Sequence, residues 1–120
     1  MQTEAYRVAG PTYALSVAAT QHADVNVVPK LAETCNYALF WNTGTTAVCV
    51  VTSNFGIATP AVVFPVDGTP TIPTSFVLPP SMPLPVAFSV LCNGTSGFNV
   101  SAIGSAAGPT IVYVTPLASM

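Results

Sequence analysis

Proline and glycine interrupt this 120-residue chain at short intervals, which leaves room for strands rather than long helices. The chain holds 12 prolines and 8 glycines. Proline lacks a backbone donor and glycine loosens the backbone, so both weaken a helix interior. The runs between them are rich in β-branched and aromatic residues, a composition typical of strands. The pattern therefore predicts an all-β fold, and the length fits one domain.

Nine segments carry this strand chemistry, with residues that favour turns between them. Strands that recur about every 8–12 residues are typical of a sandwich or a jelly roll. We predict a jelly-roll-like antiparallel β-sandwich of eight or nine short strands, covering residues 12–120. Residues 1–11 show no strand alternation and are expected to form a flexible N-terminal arm. The predicted strands are 12–19, 24–28, 36–41, 47–53, 60–66, 75–79, 86–91, 98–103 and 110–115.

The segment 36–41, with the sequence NYALFW, is apolar on both faces. Such a strand is central in a sheet or lies at an interface. The turn around Gly44 predicts that it forms a hairpin with the next strand, 47–53. Gly56, in the turn after that strand, is expected to adopt positive φ.

Eight of the twelve prolines lie within residues 60–85. Most of them flank predicted strands, where a missing N–H is tolerated. The segment lacks the charged and amide residues of a disordered linker, so we interpret it as a stiff, partly apolar surface suited to a permanent contact. With the N-terminal arm, it supplies the predicted protein-interface residues: Tyr6, Val8, Ile72, Phe76, Met82 and Leu84.

Charge is scarce: six residues are charged, whereas 51% of the chain is hydrophobic. An average domain has about a quarter of its residues charged. A surface so poor in charge is typical of a protein that contacts other protein, so we expect a homo-oligomer. Arg7 and Lys30 are too few to bind nucleic acid phosphates. We also expect no secretory signal in the first ten residues and no membrane span, for want of a sufficiently long apolar run.

The titratable residues do not form a recognisable site. His22 is the only histidine, and with Asp24 it makes neither a catalytic triad nor a metal-ligand set. Cys35, Cys49 and Cys92 show no C-x-x-C spacing and are expected to be buried, reduced thiols, with the first two too far apart to pair. We therefore expect no catalytic residues, no metal, no cofactor and no enzymatic activity.

Four aromatic residues have two possible interpretations. Trp41, Tyr13, Tyr37 and Tyr113 lie in predicted strands. They could form a platform on which sugars stack. Packing in the core or in an oligomer interface explains strand aromatics better, so we favour that interpretation.

Three stretches of the chain, RVAGPT, ALFWNTGTTAVCVVTSN and FNVSAIGSAAGPTIVYVTP, resemble auxiliary head proteins of tailed bacteriophages, the cement or decoration proteins. The resemblance implies a jelly-roll or sandwich module that oligomerises on the outside of a capsid and clamps neighbouring major capsid subunits. The partners would then be the major capsid protein and further copies of this chain, as a dimer or trimer. The location would be the virion surface, after synthesis in the bacterial cytoplasm. The alternative is a neck, tail or fibre module that binds another structural protein or a host glycan.

Overall fold

Two antiparallel β-sheets packed face to face form the fold. The structure, a computed structural model, describes residues 6–30, 34–72, 74–92, 94–107 and 109–119. In that part of the chain a short 3-10 turn, Gly94–Ser96, accompanies the strands. The strands are β1 (Tyr6–Val8), β2 (Tyr13–Val17), β3 (Val25–Val27), β4 (Tyr37–Asn42), β5 (Val48–Asn54), β6 (Ser75–Leu78), β7 (Val86–Ser89), β8 (Phe98–Gly104) and β9 (Thr110–Ser119).

The strands divide between a front sheet and a back sheet. The front sheet has the order β1-β9-β4-β7, with β2 also paired to β9, and the back sheet has the order β3-β8-β5-β6. Every pairing is antiparallel. The predicted all-β antiparallel sandwich is thus confirmed.

The long strand β9 organises the front sheet. Its first half pairs with β2 and its second half with β1, while β4 runs along its other edge. β1 and β2 therefore pair one after the other along the same side of β9, and Gly10 and Pro11 lie at the break between them. The Ala9 N–H donates to the Pro116 carbonyl at 2.9 Å and continues the pairing up to that break.

The main core lies between the two sheets. The inward-facing side chains alternate with outward-facing ones along each strand, as the period of a strand requires. Near the edge formed by β6 and β7, Phe40, Phe76 and Phe88 contact one another, with Phe76 and Phe88 stacked at 4.3 Å between ring centroids. The largest fully buried side chains of the chain include Phe40, Phe98, Leu15 and Leu78.

The predicted hairpin between 36–41 and 47–53 is wrong. The first strand, β4, lies in the front sheet between β9 and β7, whereas β5 lies in the back sheet between β8 and β6. Both edges of each strand are thus occupied by partners distant in sequence. The turn at Gly44 crosses from one sheet to the other instead of reversing within one sheet.

Two further segments differ from the prediction. Tyr6–Val8, within the predicted arm, forms strand β1, because the long strand β9 offers a free edge to pair with; residues 1–5 of the arm lie outside the described residues. The predicted strand 60–66 is wrong, since this segment forms no ladder and packs on the back sheet. The positive φ expected at Gly56 is confirmed, at 84°.

Gly97 is required by the close approach of two segments, and this requirement predicts a large effect of substitution. Its φ is 81°, and a Cβ atom there would lie 1.8 Å from the Val27 carbonyl oxygen. We expect Gly97→Ala to lower the free energy of unfolding by about 3 kcal/mol or more, since strain and clash add. Urea denaturation measures this.

Gly56→Ala is the matched control for that measurement. Gly56 has a similar φ of 84°, but a Cβ atom added there would meet nothing within 4 Å. The substitution should cost only the left-handed backbone penalty, about 1–2 kcal/mol. Equal losses in the two variants would contradict the role assigned to the contact between Gly97 and Val27.

Candidate protein-contact surface

The outer face of the back sheet is covered by the chain itself. Residues 57–72, here called the cover segment, cross this face between β5 and β6. Val62 of the cover segment is buried against Cys49 and Val51, with Phe64, Ile72 and Ile103 packed around them. The first half of the proline-rich region is therefore engaged within the molecule.

Two polar side chains fasten the cover segment to the connection between β2 and β3. Gln21 donates to the Pro60 carbonyl at 3.1 Å and accepts from the Val62 N–H at 2.9 Å. Asp24 accepts from the Thr59 N–H at 3.0 Å and from the Thr59 hydroxyl. These bonds satisfy backbone groups that lie outside any ladder, which explains why a segment without strand pairing is held on the sheet.

The outer face of the front sheet has no such cover among the described residues. Register places Arg7 beside the buried Ala118 and so on the opposite side of β1 from Tyr6 and Val8. Consequently no charged residue of the described strands faces outward from the front sheet. We call this surface the aromatic face, defined by Tyr6, Val8, Tyr37, Leu39, Trp41, Ile111, Tyr113, Thr115 and Leu117.

The aromatic side chains on this face are held in place while remaining accessible. The Trp41 indole N–H donates to the Met82 carbonyl at 2.8 Å, and the Trp41 ring lies 6.4 Å from that of Tyr113. Tyr6 and Tyr37 make an edge contact at 4.8 Å. Trp41 is still 38% exposed. Rigid aromatic groups of this kind lose little conformational entropy on binding.

A pocket of about 440 Å³ opens at the centre of the aromatic face. The Thr12 and Thr115 hydroxyls that line it hydrogen-bond to each other at 2.7 Å, so each hydroxyl already has a hydrogen-bond partner. The pocket suits a large apolar side chain of a partner, the usual anchor at a protein interface. Its lining residues are Val8, Thr12, Leu39, Trp41, Pro85, Tyr113 and Thr115.

The rim of the aromatic face carries charge. A larger open groove, of about 1320 Å³, shares Val8 with the pocket and is lined by both Arg7 and Lys30. These are the one arginine and the one lysine of the chain. An apolar centre with charge at its margin is the usual composition of a protein–protein interface.

The second half of the proline-rich region is fixed by Asn42, and its last residue, Pro85, lines the pocket. The Asn42 amide donates to the Pro79 and Thr46 carbonyls at 3.1 and 2.9 Å and accepts from the Gly44 N–H at 3.0 Å. The Met82 N–H in turn donates to the Asn42 carbonyl at 3.0 Å. These bonds make the segment stiff and place Pro85 against the pocket.

The six residues predicted as an interface fall in three places. Tyr6 and Val8 belong to the aromatic face, and Leu84, 72% exposed, adjoins Pro85 at its margin. Ile72 is the last residue of the cover segment and packs on the outer face of the other sheet. The remaining two contribute to the main core, where Phe76 is partly buried and Met82 is 8% exposed.

Sequence reasoning did not include the central residues of the aromatic face among its interface residues. Trp41 and Tyr113 pair across β4 and β9, two strands far apart in the chain. The sequence did contain a signal that Trp41 lies at a contact surface. Its strand is apolar on both faces, and such a strand needs a second surface to cover it. Tyr13, the fourth aromatic considered, instead faces the core, and its hydroxyl accepts from the Val28 N–H at 3.2 Å.

The histidine and acidic side chains of the described part form no site with one another. Among the described residues, no group of three or more histidine, cysteine or acidic residues is placed to hold a metal ion. His22 bonds its neighbour's carbonyl at Ala23, and burial raises the pKa of the Cys49 thiol. No helix in the described ranges has the length and apolar character needed to cross a membrane.

The fold and this surface define an all-β sandwich with one aromatic sheet face, on which no charged residue of the described strands points outward. No family model matches the chain, and no curated protein or solved structure is significantly similar to it.

The hydrogen bonds of the Asn42 side chain predict how much stability the protein would lose without them. Asn42→Ala removes three hydrogen bonds from a fully buried site. We expect the free energy of unfolding to fall by about 3 kcal/mol, at about 1 kcal/mol for each bond. Chemical denaturation measures the loss. Thr45→Ala, an exposed position in the same turn, should change stability by less than about 0.5 kcal/mol; similar losses for both variants would refute the prediction.

Proposed function

We propose that this chain is a structural protein of a tailed-bacteriophage virion, which binds the outside of the capsid and clamps neighbouring major capsid subunits. The observation that carries the proposal is the aromatic face: among the described residues it has neither an outward-facing charge nor a covering segment, and an apolar pocket opens at its centre. Large exposed apolar patches mark interaction surfaces. The resemblance of three stretches of the sequence to cement proteins supplies the choice of partner.

We further propose that the sandwich is a jelly roll. Along the chain, β2 to β9 fall in the front, back, front, back, back, front, back and front sheets. This alternation between two antiparallel sheets supports two interlocked Greek keys, the arrangement of a jelly roll. Jelly rolls occur in viral capsid and lectin domains. A shared fold does not by itself define a function, so the functional proposal rests on the aromatic face.

The proposed mechanism is binding alone, without enzymatic catalysis. A protein that binds only the assembled shell stabilises that state by mass action. Many copies on one lattice also reinforce one another when each copy contacts two subunits. The segment fixed by Asn42 and the fixed aromatic rings suit this role, because groups that are already ordered lose little conformational entropy on binding.

A neck, tail or fibre module that binds a host glycan is the alternative. The exposed rings of Trp41 and Tyr113 favour it, since sugars stack on aromatic rings. Sugar hydroxyls also require several polar partners in the site, yet the polar side chains lining the pocket are Thr12, Thr115 and the Tyr113 hydroxyl. The two threonines bond each other. The composition of the pocket therefore supports a protein partner over a glycan.

Substitutions on the aromatic face test the proposed contact. Val8 is 66% exposed at the pocket, and Val8→Asp would place a carboxylate in the buried centre of the interface. We expect binding to capsid shells that lack this protein to weaken by about 30-fold, the effect of losing roughly 2 kcal/mol at an interface hot spot. Co-sedimentation of the variant with shells measures it.

Val63→Asp provides the matched control, because Val63 is 67% exposed on the cover segment of the opposite sheet. This variant should bind shells as the unaltered protein does. Loss of binding in Val63→Asp with full binding in Val8→Asp would place the contact on the other side of the molecule. Equal binding by all three proteins would refute the role of the aromatic face.

The oligomeric state gives a second, independent prediction. A chain with six charged residues and an apolar face that no described segment covers should self-associate at micromolar concentration. Analytical ultracentrifugation should show species heavier than the 12.3 kDa chain. A single 12.3 kDa species at every concentration would contradict this. If Val8→Asp keeps the oligomer but loses shell binding, the face contacts capsid rather than a sister copy.

A further inference from the structure

Two of the three cysteines lie together at one end of the front sheet. Cys35 precedes β4 and Cys92 follows β7, two strands that pair with each other. The Val90 N–H donates to the Asn36 carbonyl at 3.1 Å, and this bond keeps the two chain segments together beyond the ladder. Cys35 is buried in the main core, and the half-buried Cys92 packs against the same core.

The two thiols also influence each other's ionisation, as expected of groups packed on the same core. Interaction with the Cys92 side chain lowers the pKa of Cys35, and interaction with Cys35, together with burial, raises the pKa of Cys92. The third thiol, Cys49, lies in the separate cluster on the outer face of the back sheet. Geometry thus selects one pair out of three possible pairs of cysteines.

We propose that Cys35 and Cys92 form an intramolecular disulfide when the protein meets a low-molecular-weight disulfide such as oxidised glutathione. The sequence alone suggested three reduced thiols, with no pair singled out. The proposal is independent of the capsid-binding function, since it depends only on the positions of the two cysteines in the fold.

The reaction is thiol–disulfide exchange in two steps. A thiolate of the pair attacks one sulfur of oxidised glutathione, the glutathione disulfide bond breaks, and the first glutathione leaves as a thiolate. The second cysteine thiolate then attacks the protein sulfur of the mixed disulfide and expels the other glutathione. Both cysteines are oxidised, glutathione is reduced, and the two released thiolates take up the protons that the cysteines lost.

The arrangement favours this reaction over a lasting mixed disulfide. Cys92 is half-buried, so a small disulfide reaches the pair from its side. Cys35 is buried in the same core against which Cys92 packs, so glutathione joined to Cys92 would lie within reach of the second thiol, and the ring closure is intramolecular. The resulting bond would link two segments that are distant in sequence, which restricts the unfolded chain and stabilises the fold.

The test uses the full-length protein, first reduced and then incubated under native conditions with oxidised glutathione. Thiol titration after unfolding should find all three thiols before treatment and one afterwards. Chymotrypsin cuts after aromatic residues, which occur between each pair of cysteines. Mass spectrometry of the digest, without reductant, should therefore show the Cys35 and Cys92 peptides joined and the Cys49 peptide free. The melting temperature of the oxidised protein should rise by roughly 10 °C.

Two variants separate this pair from general oxidation. Cys92→Ser should form no internal disulfide, whereas Cys49→Ala should form it as the unaltered protein does. Three free thiols after treatment, a stable glutathione adduct without a cross-link, or a link that includes Cys49 would each overturn the proposal. Because the decisive measurement is made on the unaltered protein, a folding defect in either variant leaves the test intact.

Discussion

The need to cover apolar sheet faces is the constraint on which the rest of this structure depends. A sandwich of two sheets has four faces, and the inner two bury each other. With six charged residues in 120, the chain has too few charged side chains to cover both outer faces. The back sheet is covered instead by residues 57–72, which bury Val62 on Cys49 and Val51. No segment in the described ranges covers the aromatic face of the front sheet in this way, and this asymmetry is the physical basis for proposing that side as the contact surface.

The two halves of the proline-rich region contribute to this asymmetry in different ways. The first half belongs to the cover segment, where Gln21 and Asp24 satisfy backbone groups that no ladder reaches. The second half crosses between the sheets, is fixed by Asn42 and contributes Pro85 to the pocket lining. Proline suits both halves because it stiffens the chain and has no N–H that would need a partner. The region is thus partly internal scaffold and partly exposed surface, and only its second half adjoins the aromatic face.

Local sequence patterns located most strands but not their partners. The segments around Tyr37 and Val48 lie close to the observed strands, since alternation and β-branched residues report a pleated, half-buried backbone. The hairpin expected between them does not form, because a turn residue such as Gly44 serves equally well to reverse a strand or to cross between sheets. The segment 60–66 has strand composition without a ladder, because its apolar residues are buried by packing on a sheet face rather than within a sheet. The composition of a segment predicts that its apolar residues will be buried, but it does not predict which surface buries them.

The sequence by itself determined the all-β class, the positions of most strands and the shortage of charge. Those features depend on residue type and local spacing, which are readable along the chain. The tertiary structure alone decided that Trp41 and Tyr113 share one pocket, that Met82 lies in the core while Leu84 lies outside it, and that Cys35 and Cys92 pack on one core while Cys49 lies in a separate cluster. Each of these relations depends on pairing between strands far apart in sequence, and antiparallel register brings together residues that no local pattern connects.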